Sequence, residues 1–525
     1  MIAQAIKFIS SDTNCEHTNQ MKPPEINKMN SKHIAYHAMA AGVLALLSAC
    51  VSFDGIQSQS QLKSIANEGN SGIFAQQQGL WPASDWGVAI GGQELQSLID
   101  AGLNNNPSLQ AASARINAAR AVSAAVSANT LPSVNASLDS TYQRFTEHGL
   151  IPKPLAGSYE SNNQLALNAS YELDFWGKHS AEMRTAVSQE KVAEAEKQSA
   201  RLLLSSAIAR SWLQLARQYQ QLALSEQQLA VREKIDQLTL QRLKAGLETK
   251  SEIQQSLLQI SSIKNDIISW KEAIALTRNQ LAALLGAGPK RGQQIPAPRL
   301  QTNMAITAPA NLPLELISRR PDIVAARWRV EAGQSEIDLA KNQFYPNINI
   351  VGFAGLSSLG LDNFVKSGSS IVGVGPTIRL PIFEGGRLRA QLKNKVAGYD
   401  VAVATYNQSL TDALHEVADQ LQTLQTSEAQ AKQQVIAEQA AKIALQLAQQ
   451  RQKAGTANML PVLAAETTLL AQQKLSLDIA IRHTDSQVNL IKALGGGYGS
   501  KTESIASANS TSNNFTVPNK PEAAQ

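Results

Sequence analysis

The chain has 525 residues, with 47 Lys and Arg against 42 Asp and Glu, a net charge of +5, and two cysteines, Cys15 and Cys50. Removing residues 1–49 takes away 4 basic and 3 acidic side chains and leaves 43 against 39, a net +4 that is too mild and too evenly spread for a nucleic-acid partner. Ala, Gln, Leu and Ser are abundant and aromatics make up 5% of the chain, the balance of long helices rather than of an enzyme core.

At the amino-terminal end, Ile34 to Ala49 is a run of mostly Ala, Leu, Val and Gly that stops at Cys50. It is shorter than the roughly 20 apolar residues needed to cross a bilayer. It has the size of a signal-peptide core, with Lys28 and Lys32 as its positive flank and Met29 as a natural start inside an extended amino terminus. Leu47-Ser48-Ala49-Cys50 resembles the lipobox of bacterial lipoproteins, where cleavage before the cysteine leaves a thiol that carries diacylglycerol. That resemblance implies a lipid on Cys50. Val51 in place of an inner-membrane retention Asp implies export to the outer membrane. No cysteine follows Cys50, so no disulfide holds the mature chain. Residues 1–49 are therefore expected to be a signal peptide with an extended start, and 50–90 the lipidated segment.

The remainder reads as two copies of one unit, a duplication that has to be recognised before any fold is assigned. Residues 106–135 align without a gap on 320–349 at an offset of 214. Pro107 meets Pro321, Arg115 meets Arg329, Pro132 meets Pro346 and Asn135 meets Asn349. Further on the offset is 209. Gly177-Lys178 meets Gly386-Arg387, "RLKAG" (242–246) meets "RQKAG" (451–455), and "LLGAG" (284–288) meets "ALGGG" (493–497).

Each copy, in chain order, opens with a helix, 107–129 and 321–343, with Pro in its first turn. Two extended stretches follow. In the first copy they form a hairpin over 131–175, in the second strands over 346–357 and 370–382. In 163–175 Leu165, Leu167, Ala169, Tyr171 and Leu173 share one face, whereas the second-copy strands alternate less cleanly and hold much Gly. Long helices come next. No proline occurs between Pro154 and Pro289, or between Pro381 and Pro461. Apolar residues recur by sevens at Ile208, Leu215, Leu222 and Leu229, and at Leu410, Val417, Leu424 and Ala431, the seam of a coiled coil. The expected long helices are 178–244 and 386–453, each about 100 Å at 1.5 Å per residue. Shorter ones follow at 249–285 and 459–494. The repeats span 91–286 and 314–495, joined by a linker at 287–313 with five prolines and followed by a Ser/Asn-rich, disordered tail at 496–525.

Four strands cannot close a barrel alone, since single-chain membrane barrels use at least about eight. An open sheet edge cannot face lipid. Membrane strands would thus have to be pooled among several chains, whose long helices then stand side by side in a ring.

"YELDFWGK" (171–178), "SRRPDIVAAR" (318–327), "YPNI" (345–348), "LPIFEGGRLRAQ" (380–391) and "NLIKALGGGY" (489–498) resemble the signature stretches of outer-membrane efflux factors, in particular the lipoprotein branch that works with resistance–nodulation–division pumps. The resemblance spans about 90–497. It implies an α+β membrane protein of the duplicated unit, forming a homotrimer in which a 12-stranded β-barrel continues into a periplasmic α-helical barrel. The implied function is the passive exit duct of a tripartite efflux pump for drugs or toxic compounds, lipid-anchored in the bacterial outer membrane. The implied partners are a periplasmic adaptor, an inner-membrane resistance–nodulation–division transporter and outer-membrane lipid. Type I protein secretion through the same architecture is the alternative.

No enzyme, metal or cofactor is expected. The seven His are scattered, "GAGPK" (286–290) lacks P-loop spacing, and the covalent lipid on Cys50 is the one group implied. The candidate site residues fall in two places. The inter-helical turns bring together Arg242, Lys244, Gly246, Glu248 and Thr249 in the first copy, and Gln449, Arg451, Lys453, Gly455 and Thr456 in the second. Gly suits a left-handed helix cap, cations suit a helix carboxyl end, and Thr249 and Asn458 are placed to cap the next helix. The resemblance makes these turns the periplasmic tip, gate and adaptor contact. Gln449 and Gln450 stand where some relatives carry an acid, with Glu248 or Glu252 as substitutes. The second place is the strand-to-helix junction, with Pro132, Trp176 and Gly177 in one copy and Pro346, Pro381, Phe383, Gly385 and Gly386 in the other. Trp176 and Phe383 hold matching positions and are expected to plug or pack it.

Overall fold

The structure, a computed structural model, describes residues 53–63, 79–299, 309 and 312–498. The expected signal peptide, Cys50 and most of the expected tail lie outside the described residues. The chain from Asp54 onward forms one compact unit.

The elements are α1 (Trp86–Asn105), α2 (Pro107–Ala128), β1 (Ser133–Arg144), β2 (Tyr159–Leu173), α3 (Lys178–Lys244), α4 (Lys250–Leu284), the one-turn α5 (Pro289–Gln293), α6 (Leu312–Arg319), α7 (Pro321–Asn342), β3 (Asn347–Leu359), β4 (Ser370–Arg379), α8 (Arg387–Lys453) and α9 (Leu460–Ala493). The two longest helices have 67 residues each, and α2 and α7 have 22 each. The duplication is therefore carried in element lengths as well as in sequence.

Four features depart from the sequence reading. Each repeat carries an extra leading helix, α1 and α6, ending at Asn105 and Arg319, which are 214 residues apart. Thus the first repeat starts before residue 91, and the unit has six elements rather than five. The proline-rich linker contains the short helix α5. Strand β4 stops at Arg379, so Pro381 and Phe383 lie in the following turn. Gly496 and Gly497, expected in the disordered tail, are packed instead. A Cβ on Gly497 would come within 2.8 Å of the Ala83 backbone, and one on Gly496 would overlap Leu202.

Long helix α3 is the spine, packing against α1, α2, α4, α7 and α9. Its heptad residues Ile208, Trp212 and Leu215 are fully buried. They form one core with Trp86, Ile90 and Leu95 of α1, Leu281 of α4 and Ile491 of α9. Removing this apolar surface from water at about 25 cal/mol per Å² is the main stabilising term. Gly91 and Gly92 interrupt the helical geometry of α1, and a Cβ on Gly91 would sit 2.8 Å from the Trp212 ring. The break therefore makes room for the largest core side chain. In the second repeat Leu410, Val417, Leu421 and Leu424 of α8 fill the corresponding seam.

Each repeat is closed by its last helix docking on the start of its proline helix. Helix α4 ends in a Schellman turn, with Gly286 N–H on Ala283 O at 3.0 Å and Ala287 N–H on Ala282 O at 2.9 Å. A Cβ on Gly286 would lie 2.6 Å from the Asn105 carbonyl oxygen. The second repeat repeats this contact, because a Cβ on Gly495 would overlap the Arg319 carbonyl oxygen. The side chains follow the same equivalence. Asn106 donates to Leu284 O at 2.8 Å, and its oxygen accepts from Ser108 N–H. Arg320 donates to Ala493 O at 3.1 Å, to Glu416 at 2.8 Å and to Asp322 at 2.7 Å, and Lys492 completes the group on Glu416 at 2.9 Å.

The Arg320 side chain is only 10% exposed, so its two carboxylate partners are needed to hold the charge. Burial alone would push the Asp322 and Glu416 carboxyls up. Hydrogen bonds and charge from Arg320, with Lys492 on Glu416, outweigh it and hold both below the ordinary carboxylate range.

Two outcomes are expected. Gly455 has open space around its missing Cβ and Gly495 has none, although both have positive φ. In thermal melts followed by circular dichroism, Gly455→Ala should therefore cost about 1 kcal/mol and Gly495→Ala at least about 3 kcal/mol. Because the two carboxyls have lowered pKa values in the fold, the unfolded chain binds more protons. Their stabilisation is complete above the unfolded carboxylate range, near about 4, and is lost as pH falls through the folded values. Melting temperature followed down through that window should drop less steeply in Glu416→Gln than in the wild type.

Candidate functional site: a two-faced sheet, its junction and the helix tips

The four strands form one antiparallel sheet in the order β1-β2-β3-β4, so β1 and β4 each have one unpaired edge among the described residues. The registers assign every residue a face, because cross-strand partners point the same way. The rows Leu138–Leu165–Leu356, Ala136–Leu167–Ala354–Val372 and Tyr171–Ile350–Pro376 all fall on one face. Val134, Tyr142, Val374 and Ile378 belong to the same face by alternation. It is apolar from the helix end as far as the Leu138 row, beyond which Ser140, Asn163 and Ser358 follow toward the loops, yet Val372 is 84% and Val374 83% exposed in the single chain. The other face carries Asn135, Asp139, Gln164, Asn168, Asn349 and Thr377. The apolar face of β1 was legible in "SVNASLDSTYQR" but was not read there. The weak alternation in β3 and β4 has a local cause. Phe353 lies on the polar face, and its ring occupies the space over Gly373, where a Cβ would meet it at 2.6 Å.

Strands of 10 to 15 residues are long enough to cross the apolar layer of an outer membrane when tilted. Among the described residues no helix is long and apolar enough to do so. Hairpin loops 145–158 and 360–369 lie at one end of the sheet, and the helices leave from the other.

At the helix end the junction residues are brought together, but the two copies differ. Gly177 (φ 77°) and Gly386 (φ 85°), preceded by Gly385 (φ 58°), take the left-handed conformation that redirects strand into helix. Pro132 and Pro346 immediately precede β1 and β3. Trp176 stacks on Tyr345 with centroids 4.9 Å apart, and its Nε1 donates to Pro346 O at 2.8 Å. It thereby ties the first repeat to the second. Phe383 does not match Trp176 in register, since the offset of 209 sets Gly385 against Trp176 and Phe383 against Asp174, and it is 89% exposed and does not pack the junction in the single chain. Lys178 Nζ donates to Glu172 at 2.8 Å and fastens α3 to β2.

At the far ends of the long helices both turns close as Schellman motifs on Gly246 and Gly455, each with φ 73°. Leu247 N–H reaches Arg242 O at 2.8 Å, and Thr456 N–H reaches Arg451 O at 3.0 Å. Thr249 and Glu252 form a capping box, while Asn458 accepts from Leu460 N–H at 3.1 Å. Arg242 donates to Glu248 at 2.8 Å, an ion pair inside the first turn. Glu252 is committed to Thr249, whose hydrogen bond holds its carboxyl below the ordinary range. In the second turn Gln449, Arg451 and Lys453 are exposed, and among the described residues no carboxylate pairs with either cation. Lys244 is exposed as well.

One functional element was not anticipated. Residues 54–63 run along α8 from its sheet end. Arg389 Nη2 donates to Asp54 O at 3.1 Å and Ser58 Oγ to Asp400 at 2.5 Å. Asn407 brackets this segment, accepting from Lys63 N–H at 2.8 Å and donating to Gln61 O at 2.9 Å. Among the described residues no group of three or more His, Cys, Asp or Glu is placed to hold a metal ion.

The sequence profile described as outer membrane efflux protein matches residues 98–287 and 312–496, one stretch per repeat. The fusaric acid resistance protein FusA of Burkholderia cepacia is 34% identical over 369 residues, which are 69% of this chain and 69% of that protein. The multidrug resistance outer membrane protein MdtP of Escherichia coli O6:H1 is 30% identical over 430 residues, 80% of this chain and 87% of that protein. Among solved structures, the outer membrane protein VceC of Vibrio cholerae matches with a TM-score of 0.72 at 35% identity, covering 79% of this chain and 100% of that one.

The asymmetry at the junction gives a paired expectation. Trp176→Ala removes a stacked ring pair and a hydrogen bond and should cost about 2 kcal/mol in thermal unfolding. Phe383→Ala should change the stability of the single chain by less than about 0.5 kcal/mol.

Proposed function

We propose, for a chain that belongs to the outer membrane efflux protein family and is an efflux duct of the bacterial outer membrane, that three copies share one barrel and that a lipid on Cys50 fixes its depth. The carrying observation is the sheet, which pairs an apolar face spanning all four strands at the helix side with two edges unpaired among the described residues. In lipid each unpaired edge N–H and C=O costs several kcal/mol, so the edges must meet other strands. Three chains of four strands give twelve, the β1 edge of one copy meeting the β4 edge of the next. The apolar face then turns to lipid and the polar face lines the passage. The long helices, about 100 Å each at 1.5 Å per residue, extend the passage through the periplasm.

The strap along α8 supports the lipid. Asp54 is held at Arg389, the third residue of the helix that leaves the sheet. Cys50 precedes Asp54 by four residues, a reach of at most about 14 Å. An acyl anchor on Cys50 would thus enter the membrane at the level of the barrel's inner rim. At the other end, the exposed turns around Gly246 and Gly455 are the surface offered to a periplasmic adaptor, through which an inner-membrane resistance–nodulation–division transporter supplies energy. The duct itself needs no cofactor and performs no chemistry.

The test is to compare the wild type with Cys50→Ala in outer-membrane extracts. The expected result is a lipid mass on the fragment beginning at residue 50, and a heat-sensitive oligomer of three chains that conducts ions in a planar bilayer. Cys50→Ala should lose the lipid mass and keep the conducting oligomer. A lipidated but monomeric, non-conducting protein would contradict the shared barrel.

A further inference from the structure

The charges on the polar wall of the sheet are few and unevenly placed. On β1 the wall residues are Ser133, Asn135, Ser137, Asp139, Thr141 and Gln143, and Asp139 is the one charge among them. The wall positions of β3 carry none. Those of β2 carry Glu160 at the loop end and Glu172 at the helix end, and those of β4 carry Arg379, again at the helix end. Glu172 is neutralised by Lys178 at 2.8 Å. Asp139 is exposed and has no hydrogen-bond or ion-pair partner among the described residues.

The register shows how far Asp139 is from compensation. Asp139 stands in a row with Gln164 and Ser357, whereas Arg379 stands opposite Asn347. Ser357 and Asn347 are ten residues apart on β3, about 34 Å of strand. That is several times the Debye length of about 8 Å at physiological salt, so Arg379 does not cancel the field of Asp139. On the loop side Arg144 is engaged by Glu147 at 2.6 Å. Lys153, Asp362 and Lys366 lie in the loops beyond the strand ends. The neighbour nearest in kind along the wall is Glu160, of the same sign.

We infer that Asp139 sets the charge preference of the barrel section, favouring cationic over anionic solutes on their way out. The inference rests on the three-chain barrel, in which Asp139 occurs three times at one level of a wall otherwise built there from amides and hydroxyls. A ring of carboxylates facing a water-filled passage raises the local concentration of cations and depletes anions, most strongly at low salt. The charge acts on whatever is delivered to the barrel and adds a filter independent of the pump.

The experiment uses the full-length protein in a planar bilayer under a KCl gradient at low salt. Asp139→Asn should assemble and conduct like the wild type, while its reversal potential moves toward the anion side. Asp139→Lys should move it further in the same direction, and raising the salt should shrink both shifts. Asp139→Ser removes the same charge if the Asn variant fails to assemble. A conducting oligomer whose reversal potential is unmoved by neutralisation, or moves toward the cation side, overturns the inference and leaves the barrel intact. A wild type that neither assembles nor conducts overturns the barrel itself.

Discussion

The hydrogen-bonding groups along the outer edges of β1 and β4 constrain everything else in this molecule. A sheet with one apolar face is at home in lipid only if every backbone donor and acceptor is paired within protein. Four strands cannot curl far enough to pair their own edges, so each chain supplies a third of a barrel that only its copies can close. The apolar residues of the exposed face, Val372 and Val374 among them, make sense in no other setting. Chains gathered by their sheets have their helices gathered too, and those helices must pack on each other around a passage.

The second constraint lies where each repeat closes. Gly286 and Gly495 press onto the backbone just before Pro107 and Pro321, at distances no Cβ would tolerate. Around this shared frame the two copies have diverged in chemistry. Asn106 meets the end of α4 with a neutral amide, while Arg320 meets the end of α9 with a charge held by Asp322 and Glu416. The tips have diverged as well. The first turn neutralises Arg242 within itself, and the second leaves Arg451 exposed. A trimer of such chains would present six tips of two kinds, so a partner ring can distinguish the copies.

Much of this was readable in the residues, for identifiable reasons. Long helices declare themselves by the absence of proline and by heptads such as Ile208, Leu215 and Leu222, because both are properties of a single segment. The duplication declares itself because the Gly and Pro positions are fixed by backbone geometry. Helix α1 was missed because Gly87, Gly91 and Gly92 break its pattern. Gly91 makes room for Trp212, more than a hundred residues away, and local sequence does not report such a partner. The difference between Trp176 and Phe383 was illegible for the same reason. Tyr345 and the Pro346 carbonyl, which engage Trp176, come from the other repeat. The strap along α8 depends on Arg389, Asp400 and Asn407, which look like any other surface residues of a long helix.

The most direct test of the account is disulfide trapping across the proposed seam between copies. No cysteine follows Cys50 in the sequence, so a pair introduced on β1 and β4 in a chain without Cys15 and Cys50 reports unambiguously. With Ser137→Cys held fixed and single cysteines moved along β4, oxidation in intact outer membranes should give a ladder of covalent dimers and trimers. Its yield should peak at alternate β4 positions, those on the polar face with Ser137. An absence of cross-linked species at every β4 position, in a protein that still reaches the outer membrane, would contradict the shared barrel on which the function depends.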